Sequence, residues 1–186
     1  MVSLEEYAYV LDFLPRGHPG GGQYHHEPIA FAVGGEEFKL LELTPKPEVK
    51  QMLPGEKVYI GKDADKRDKV LHVKRRIAHN ELTNAAQSEL PFVLKQMVNA
   101  TPDRFVKFYN EAQPVSTRFH MLELLPGLGK KTMWKIIEER KVAPFKNFDD
   151  IAKRVSTLHK PDEVIAKRIE LELADTQQKY RIFVQR

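Results

Sequence analysis

One stretch of the chain, residues 124–132 (Leu-Leu-Pro-Gly-Leu-Gly-Lys-Lys-Thr), combines the residue types that bind a phosphate group. Its two glycines leave the backbone open to close approach. The stretch also lies directly before a predicted helix, whose first N–H groups have no partner within that helix and whose dipole favours an anion. Lys130 and Lys131 add positive charge, and Thr132 adds a hydroxyl group. We therefore predict a phosphate site formed by these three residues together with Pro126, Gly127, Leu128 and Gly129.

Apolar residues recur at helical spacing on both sides of this stretch, so it lies between two predicted helices. They are Phe119, Leu122 and Leu125 before it, and Met133, Ile136 and Ile137 after it. Ser116 and Thr117 are suited to cap the first helix. The pattern resembles the helix-hairpin-helix motif, and that resemblance implies a nucleic-acid backbone bound without reading of the bases. The alternative is an ordinary αα-hairpin with a glycine C-cap, which needs neither the second glycine nor the paired lysines.

A second hairpin of the same kind is predicted further along the chain. The apolar residues of its two helices again recur at helical spacing, at Ile151, Val155 and Leu158 and then at Ile165, Ile169 and Leu173. A shift of 32 residues places His159 and Pro161 where the first hairpin has Gly127 and Gly129. Proline has no N–H group, and histidine resists a positive φ. We therefore predict a degenerate copy that keeps the scaffold and has lost the phosphate site.

The residues before position 80 have the β-branched and aromatic bias of strands. The predicted strands are residues 7–14, 28–33, 37–43, 57–61 and 70–78. Gly34 and Gly35 predict a two-residue hairpin turn between the second and third strands. Five short antiparallel strands in so few residues predict a small barrel of the OB type, and an SH3-like barrel is the alternative.

Two features of this predicted barrel suggest a second contact surface for nucleic acid. The glycine-rich segment between the first two strands carries Arg16, Tyr24, His25 and His26, which can stack on bases or contact phosphates. The fifth strand is basic and carries Lys74, Arg75 and Arg76. The alternatives for the segment are a plain surface loop and a metal site, although adjacent histidines in a mobile loop suit a metal poorly.

Residues 80–114 are predicted to form a helical connector. Capping residues and prolines at starting positions predict three helices, over residues 80–87, 88–99 and 101–110. The predicted fold class is therefore α+β. A five-stranded antiparallel OB-like β-barrel in residues 1–79 is followed by the connector and by an all-α tandem helix-hairpin-helix domain in residues 115–186.

The composition is that of a soluble globular protein with an uneven charge. The net charge is +4, but residues 115–186 hold 15 Lys and Arg against 10 Asp and Glu, whereas residues 1–114 hold 15 against 16. The basic excess thus accompanies the predicted hairpin, as expected for a phosphate partner.

Several classes of protein are excluded or disfavoured by the sequence. The chain has no cysteine, which excludes disulfides, thiol catalysis, iron–sulfur clusters and cysteine-ligated zinc. We predict no cofactor and no metal. No run of eighteen apolar residues is present, and the first residues do not form a signal peptide, so we expect a cytoplasmic protein without a membrane partner. The oligomeric state is left open.

Most of the chain resembles one archaeal protein family. The matching segments are residues 38–42, 118–127, 148–151 and 154–155. Over residues 5–183 the chain is similar to domain-of-unknown-function family 655, whose members are described as nucleotide- or RNA-binding. The genes of that family tend to lie beside those for translation and rRNA modification, so the resemblance implies RNA rather than DNA. It implies no catalytic residues, because none is assigned in the family.

Two main classes of function are compatible with these features. The first is a non-enzymatic nucleic-acid-binding protein. The second is a helix-hairpin-helix DNA-repair enzyme, such as a glycosylase or a nuclease, and a protein–protein adaptor is a third possibility. Asp149 and Asp150 follow the hairpin but have the positions of helix caps, and the other acidic residues form no recognisable two-metal motif. We therefore predict a binding protein without enzymatic activity.

Overall fold

The computed structural model describes residues 5–18 and 27–185. These residues form two compact units. One contains the described residues up to Val93 and those from Glu172 on, and the other is Leu94–Leu171. The divisions fall inside two helices, α1 (Asn84–Ala100) and α5 (Pro161–Ala174), whereas the sequence placed boundaries after residues 79 and 114.

The first unit is built on a curled, five-stranded antiparallel sheet. Its strands are β1 (Tyr7–Leu14), β2 (Ile29–Gly34), β3 (Leu40–Pro45), β4 (Lys57–Tyr59) and β5 (Val70–Arg76). The five predicted strands are therefore confirmed. Their spatial order is β4-β1-β2-β3-β5, in which the first four have the Greek-key arrangement. Strands β4 and β5 are the two edges, and no backbone ladder joins them within the described ranges.

Small and branched apolar side chains form one packed face of this sheet. They alternate along the paired strands, with Ala8 and Val10 on β1, Ala30 and Ala32 on β2, and Leu41 and Leu43 on β3. All six residues of β2 are buried, so this central strand is covered on both faces. A central strand of this kind has a continuous apolar sequence, which explains why the strands were visible from the sequence.

The turn between β2 and β3 is longer than the two residues that the sequence predicted. It spans residues 35–39, with Phe38 at a φ of 57°, and the Gly34 N–H donates to the carbonyl oxygen of Lys39 at 2.8 Å. The reason is a contact distant in sequence. The buried Glu5 carboxylate accepts from the N–H groups of Glu36 at 2.6 Å and Glu37 at 2.9 Å. An acid that stabilises the turn from elsewhere in the chain leaves no local sequence signal.

The predicted connector contains one long helix in place of its first two helices. A 3₁₀ turn spans His79–Glu81, and α1 then continues through Pro91. The prediction of separate helices was wrong because the buried stripe formed by Leu90, Leu94 and Val98 continues across the proline. Packing of that stripe outweighs the roughly 3 kcal/mol that an interior proline costs. The third predicted helix is confirmed as α2 (Pro102–Glu111).

The segment from residue 114 is not all-α, which corrects the prediction. A two-stranded ladder of β6 (Pro114–Ser116) and β7 (Phe119–His120) precedes a 3₁₀ turn at Met121–Leu124. No α-helix begins at Ser116 or Thr117. The Ser116 Oγ instead accepts from the Arg118 N–H at 3.3 Å within the turn, and Leu122 and Leu125 are three residues apart, which is the period of a 3₁₀ helix.

The described residues that follow form three α-helices, which are α3 (Lys130–Val142), α4 (Phe148–Arg154) and α5. The sequence suggested Asp149 or Asp150 as the cap of α4, but the cap is Asn147. The Asn147 Oδ1 accepts from the Asp150 N–H at 2.8 Å. Within the described ranges, every helix is too short or too polar to cross a bilayer.

Candidate nucleic-acid interface

The predicted phosphate site is a tight turn between the 3₁₀ turn and α3. The Leu128 N–H donates to the carbonyl oxygen of Leu125 at 3.2 Å, and both side chains are buried. Gly127 lies between them with a φ of 75°, a conformation that side chains disfavour. Gly129 is the N-cap of α3, with φ −80° and ψ 174°. The chain therefore turns tightly at the two glycines, and a single 3₁₀ turn, rather than the predicted α-helix, precedes this turn.

The start of α3 presents open hydrogen-bond donors. The Met133 N–H makes the first helical bond, to Gly129 at 3.0 Å, and no side chain caps the helix. Among the described residues, none accepts a hydrogen bond from the N–H groups of Lys130, Lys131 and Thr132. Apart from its chain neighbours, a Cβ at Gly127 or at Gly129 would have no atom within 4 Å, so the surface at the two glycines is open. An anion that approaches here can accept from several N–H groups at once.

The two lysines at this position are exposed, and no carboxylate in the described parts of the chain lies within ion-pair distance of either. This differs from Lys135 one turn further on, whose Nζ lies 2.8 Å from the Glu139 carboxylate. The Thr132 hydroxyl has a partner within the chain, and its contact with phosphate stays a prediction. It shares a hydrogen bond of 2.8 Å with the hydroxyl of Thr157, which links the first hairpin to the second.

The second hairpin differs from the first in conformation and in charge. The Leu158 N–H donates to the Val155 oxygen at 2.9 Å, which matches the bond between Leu128 and Leu125. This correspondence aligns Thr157 with Gly127. The first helical bond of α5, from the Val164 N–H to the Lys160 oxygen at 3.2 Å, aligns Lys160 with Gly129, so both pairings differ from the superposition taken from the sequence. Among the described residues a positive φ occurs at Gly17, Phe38, Gly55 and Gly127, and thus at no residue of the second turn.

Acidic side chains occupy the start of α5, where α3 has lysines. The Asp162 carboxylate accepts from the Asn99 amide at 3.0 Å, and that of Glu163 lies 2.6 Å from the Lys95 Nζ. These acids complement the positive end of the α5 dipole from within the chain. The first turns of the two helices therefore differ in charge, and the loss of a phosphate site in the second copy stays a prediction.

A groove of about 360 Å³ lies beside the start of α3. It is lined by Pro114, Ser116, Thr117, Arg118, Phe119, His120, Glu123, Lys130, Met133 and Trp134. Lys130 and Trp134 are four residues apart and so share one face of α3. The Trp134 side chain is 57% exposed, and it has no ring contact with another residue of the described ranges.

His120 is a buried residue of the groove lining and is held in place by two hydrogen bonds. Its Nδ1 accepts from the Leu122 N–H at 3.1 Å, which leaves the proton of the neutral ring on Nε2. Its own N–H donates to the Glu123 carboxylate at 2.8 Å, so the two residues cap the 3₁₀ turn reciprocally. Burial, and then the charge of Arg140, lower the pKa of His120 below its ordinary value. The ring is therefore neutral near pH 7.

The basic residues predicted on β5 are exposed but largely committed to partners. The Glu42 carboxylate on β3 is 1% exposed, with Lys74 Nζ at 3.1 Å, Arg75 at 2.9 Å and His18 at 3.5 Å. Burial alone would raise the pKa of Glu42, but the hydrogen bond and charge of Lys74, and then the charge of Arg75, lower it below its ordinary value. Arg75 also pairs with Glu81 at 2.6 Å.

The remaining residues of the predicted second surface are only partly described. The Arg76 guanidinium donates to the Gln185 carbonyl oxygen at 2.9 Å. Arg16 is exposed. Tyr24, His25 and His26 lie outside the described residues, so their contact with bases stays a prediction. Among the residues that are described, no cluster of three metal-binding side chains occurs.

A family model described as "Protein of unknown function (DUF655)" matches residues 4–185. The chain belongs to the DUF655 family. It is similar to Af1531 of Archaeoglobus fulgidus, a DUF655 protein with a crystal structure, at a TM-score of 0.90 and 44% identity over 97% of this chain and 100% of that one. It is also 49% identical to the uncharacterized protein MJ0038 of Methanocaldococcus jannaschii over 181 residues, which are 97% of this chain and 80% of the relative.

Sequence reasoning missed two parts of this DUF655 structure. Trp134 was detectable, because it lies outside the apolar stripe of α3 that Met133, Ile136 and Ile137 form, and a tryptophan off the buried face is expected to be exposed. The pairing of Glu42 with β5 was not detectable, because it depends on the register of strands far apart in sequence.

Proposed function

We propose that this DUF655 protein is a non-enzymatic nucleic-acid-binding protein that binds the phosphate backbone through residues 125–132. The observation that carries the proposal is the start of α3, where open N–H groups and two unpaired lysines coincide at a clear surface. The contrast with α5 supports it, because the equivalent helix start is occupied by the protein's own acids. The first N–H groups of a helix need hydrogen-bond acceptors. The protein places its own acids at the start of α5 but not at the start of α3, so the acceptor at α3 is expected to be a ligand.

We take the 3₁₀ turn, the glycine turn and α3 as a shortened helix-hairpin-helix motif. Its N–H groups and lysines contact phosphate oxygens, and such contacts position a protein without reading the sequence. The curled sheet is taken as an OB-like, partly open barrel in the same protein. The order β4-β1-β2-β3, with β5 beside β3, favours this interpretation over the SH3-like alternative because the OB fold is a five-stranded Greek-key barrel.

The proposal of a binding protein is favoured over a repair enzyme by the state of the acids near the hairpin. Asp150 accepts from the Lys146 N–H at 3.0 Å and from Arg154 at 3.2 Å, and these contacts lower its pKa. A carboxylate held in this way stabilises the start of α4 and is unsuited to accept a proton in a reaction. The preference for RNA over DNA depends on the family resemblance alone.

The proposal is tested by the salt dependence of binding. Lys130→Ala with Lys131→Ala should weaken binding to every sequence about equally and lower the log–log salt slope by roughly two, if each lysine displaces one counterion. The control is Lys153→Ala with Lys167→Ala, which removes the same charge from exposed positions on α4 and α5. Fluorescence anisotropy of labelled RNA and DNA, single-stranded and duplex, measures both quantities. An affinity independent of salt, or equal slopes for both double variants, would contradict the proposal.

A further inference from the structure

The groove beside α3 has the chemistry of a base-binding site. Trp134 is one of the large hydrophobic residues that the fold leaves exposed, and its ring forms part of the groove wall. An exposed indole offers a flat surface on which any nucleobase can stack, because every base has a π-face. Hydroxyl groups of Ser116 and Thr117 line the same groove and can donate or accept hydrogen bonds at a base edge.

The charges around the groove match a nucleotide. Arg118 and Lys130 both line it, both are exposed, and in the described part of the chain neither is within ion-pair distance of a carboxylate. Glu123 is the acidic residue of the lining, and its carboxylate is occupied by the His120 N–H. His120 itself is neutral near pH 7 because burial lowers its pKa. The groove therefore combines an aromatic surface with two available cations.

Lys130 joins this groove to the phosphate site. It is the first residue of α3, so its N–H group belongs to the open helix start while its side chain lines the groove. The side chains of Lys130 and Trp134 are neighbours, because the Cβ atoms of residues four apart on a helix are ~6 Å apart. A single nucleotide can therefore place its phosphate at the helix start and its base on the Trp134 ring. The volume of about 360 Å³ is at the small end of the range of ~300–1,000 Å³ for ligand pockets. That size accommodates a nucleobase.

We propose that this groove binds an unpaired nucleobase, stacked on Trp134, while the adjacent phosphate is held at residues 127–131. The ligand of the protein is then a single-stranded segment, a bulge or an end, rather than a regular duplex, whose bases are stacked on one another. A duplex would have to release a base from its stack at a cost of a few kcal/mol. This inference rests on the proposed function, because it names the class of nucleic acid that the same site accepts.

Trp134 provides its own reporter, because it is the one tryptophan of the chain. Oligoadenylate RNA should quench the intrinsic tryptophan fluorescence, with a midpoint equal to that of binding measured by anisotropy. A blunt-ended RNA duplex of similar length should cause little quenching. Trp134→Leu should lower the affinity for oligoadenylate by about 5- to 160-fold, which corresponds to the ~1–3 kcal/mol that stacking on an aromatic side chain contributes, and should change the duplex affinity less than about twofold.

Two control variants complete the experiment. Trp134→Phe keeps a ring and should restore most of the oligoadenylate affinity. Phe92→Leu removes an exposed ring from α1, where no stacking is proposed, and should leave the affinity unchanged. Because the Trp134 side chain is largely exposed, its variants should unfold at the same temperature as the parent protein.

Each outcome decides between the two proposals. Salt-sensitive binding of both ligands without quenching would overturn the base-binding groove and leave the phosphate site in place. An equal loss of duplex and oligoadenylate affinity in Trp134→Leu would also overturn it, because the ring would then be a general contact. Absence of binding to any RNA or DNA would overturn the proposed function, and the groove inference with it.

Discussion

At the scale of single residues, Gly129 is the N-cap of α3 but makes no capping hydrogen bond, because it has no side chain. In the same unit the N-cap of α4 is Asn147, whose side chain accepts from the backbone N–H of Asp150. Gly129 has the extended φ and ψ of an N-cap but no side chain to bond the first-turn N–H groups. Serine, aspartate and asparagine are more stabilising at such a position. The donors that a self-capping residue would satisfy are left for a ligand.

This suggests that Gly129→Ser separates stability from binding. The serine hydroxyl should accept from an N–H of the first turn, and there is room for it because nothing lies within 4 Å of the added Cβ. The free energy of unfolding should rise by a few tenths of a kcal/mol. Affinity for nucleic acid should fall, because the side chain occupies the approach to the donors. Urea unfolding and anisotropy measure the two effects, and His159→Ser in the turn before α5 is the control.

Gly127 should behave differently from Gly129, because its φ of 75° is costly for any side chain. Gly127→Val should lower the stability by about 1–2 kcal/mol and also weaken binding. Gly129→Val should weaken binding with a smaller loss of stability, and His159→Val should leave binding unchanged. Thermal unfolding with anisotropy tests all three variants. If His159→Val lost as much affinity as the glycine variants, the second hairpin would also bind phosphate.

His120 should make stability depend on pH. Its pKa in the folded protein is lowered from 6.5, first by burial and then by Arg140, so the unfolded chain binds a proton more readily than the folded one. Its contribution is therefore present above about pH 6.5 and is lost as the pH falls through the folded-state pKa, by about 1.4 kcal/mol for each unit of difference. A protonated ring also loses the Nδ1 lone pair that accepts from the Leu122 N–H.

The measurement is urea unfolding between about pH 7 and pH 5, compared between the parent protein and His120→Asn, which keeps a capping oxygen. The comparison is needed because burial raises the pKa of Glu5, which adds a pH dependence of the opposite sign. The parent protein should lose more stability than the variant as the pH falls. Identical pH profiles would mean that His120 does not titrate in this range.

At the scale of elements, the sequence indicated structure best where a pattern is local. Runs of β-branched and aromatic residues identified all five strands of the sheet, and Thr101-Pro102 identified the start of α2. The predicted boundaries were wrong where contacts between residues distant in sequence determine the structure. Pro91 signals a helix boundary in any local analysis, yet α1 passes through it because its buried stripe continues on both sides.

Pro91→Ala should therefore stabilise the protein. An alanine N–H can donate to the carbonyl oxygen of Gln87, which the proline cannot do, and the clash of the proline ring with that carbonyl is removed. We expect the free energy of unfolding to rise by about 1–3 kcal/mol. Pro102→Ala is the matched control, since Pro102 is at the first position of α2 and should gain nothing. Calorimetry of both variants measures the change in stability. If Pro91→Ala were less stable than the parent protein, the proline ring itself would contribute to the packing of α1.

At the scale of the whole molecule, exposed basic residues are not equivalent. The sequence counts Lys74 and Arg75 with Lys130 and Lys131 as basic side chains suited to phosphate. The structure separates them, because the first pair balances the buried Glu42 and the second pair faces no acid in the described chain. Composition reports both pairs alike, and only the fold shows which positive charge is already neutralised.

Alanine substitution should therefore affect stability at Lys74 and Arg75, and nucleic-acid binding at Lys130 and Lys131. Lys74→Ala with Arg75→Ala leaves Glu42 buried with His18 as its remaining partner, so stability should fall by about 1–3 kcal/mol. The salt slope of binding should change by less than about one, because Glu42 and Glu81 already neutralise these cations. Lys130→Ala with Lys131→Ala should keep the stability within about 0.5 kcal/mol and lower the slope by roughly two.

A third variant tests the cause of the stability loss. Glu42→Gln added to Lys74→Ala and Arg75→Ala removes the buried charge, and it should recover part of the lost stability because a neutral amide costs less to bury than an unpaired carboxylate. Urea unfolding and salt titrations of all three variants are the measurements. If the sheet variants lowered the salt slope as much as the hairpin variants, β5 would be a phosphate-binding surface in its own right, and the charge of Glu42 would serve only to position it.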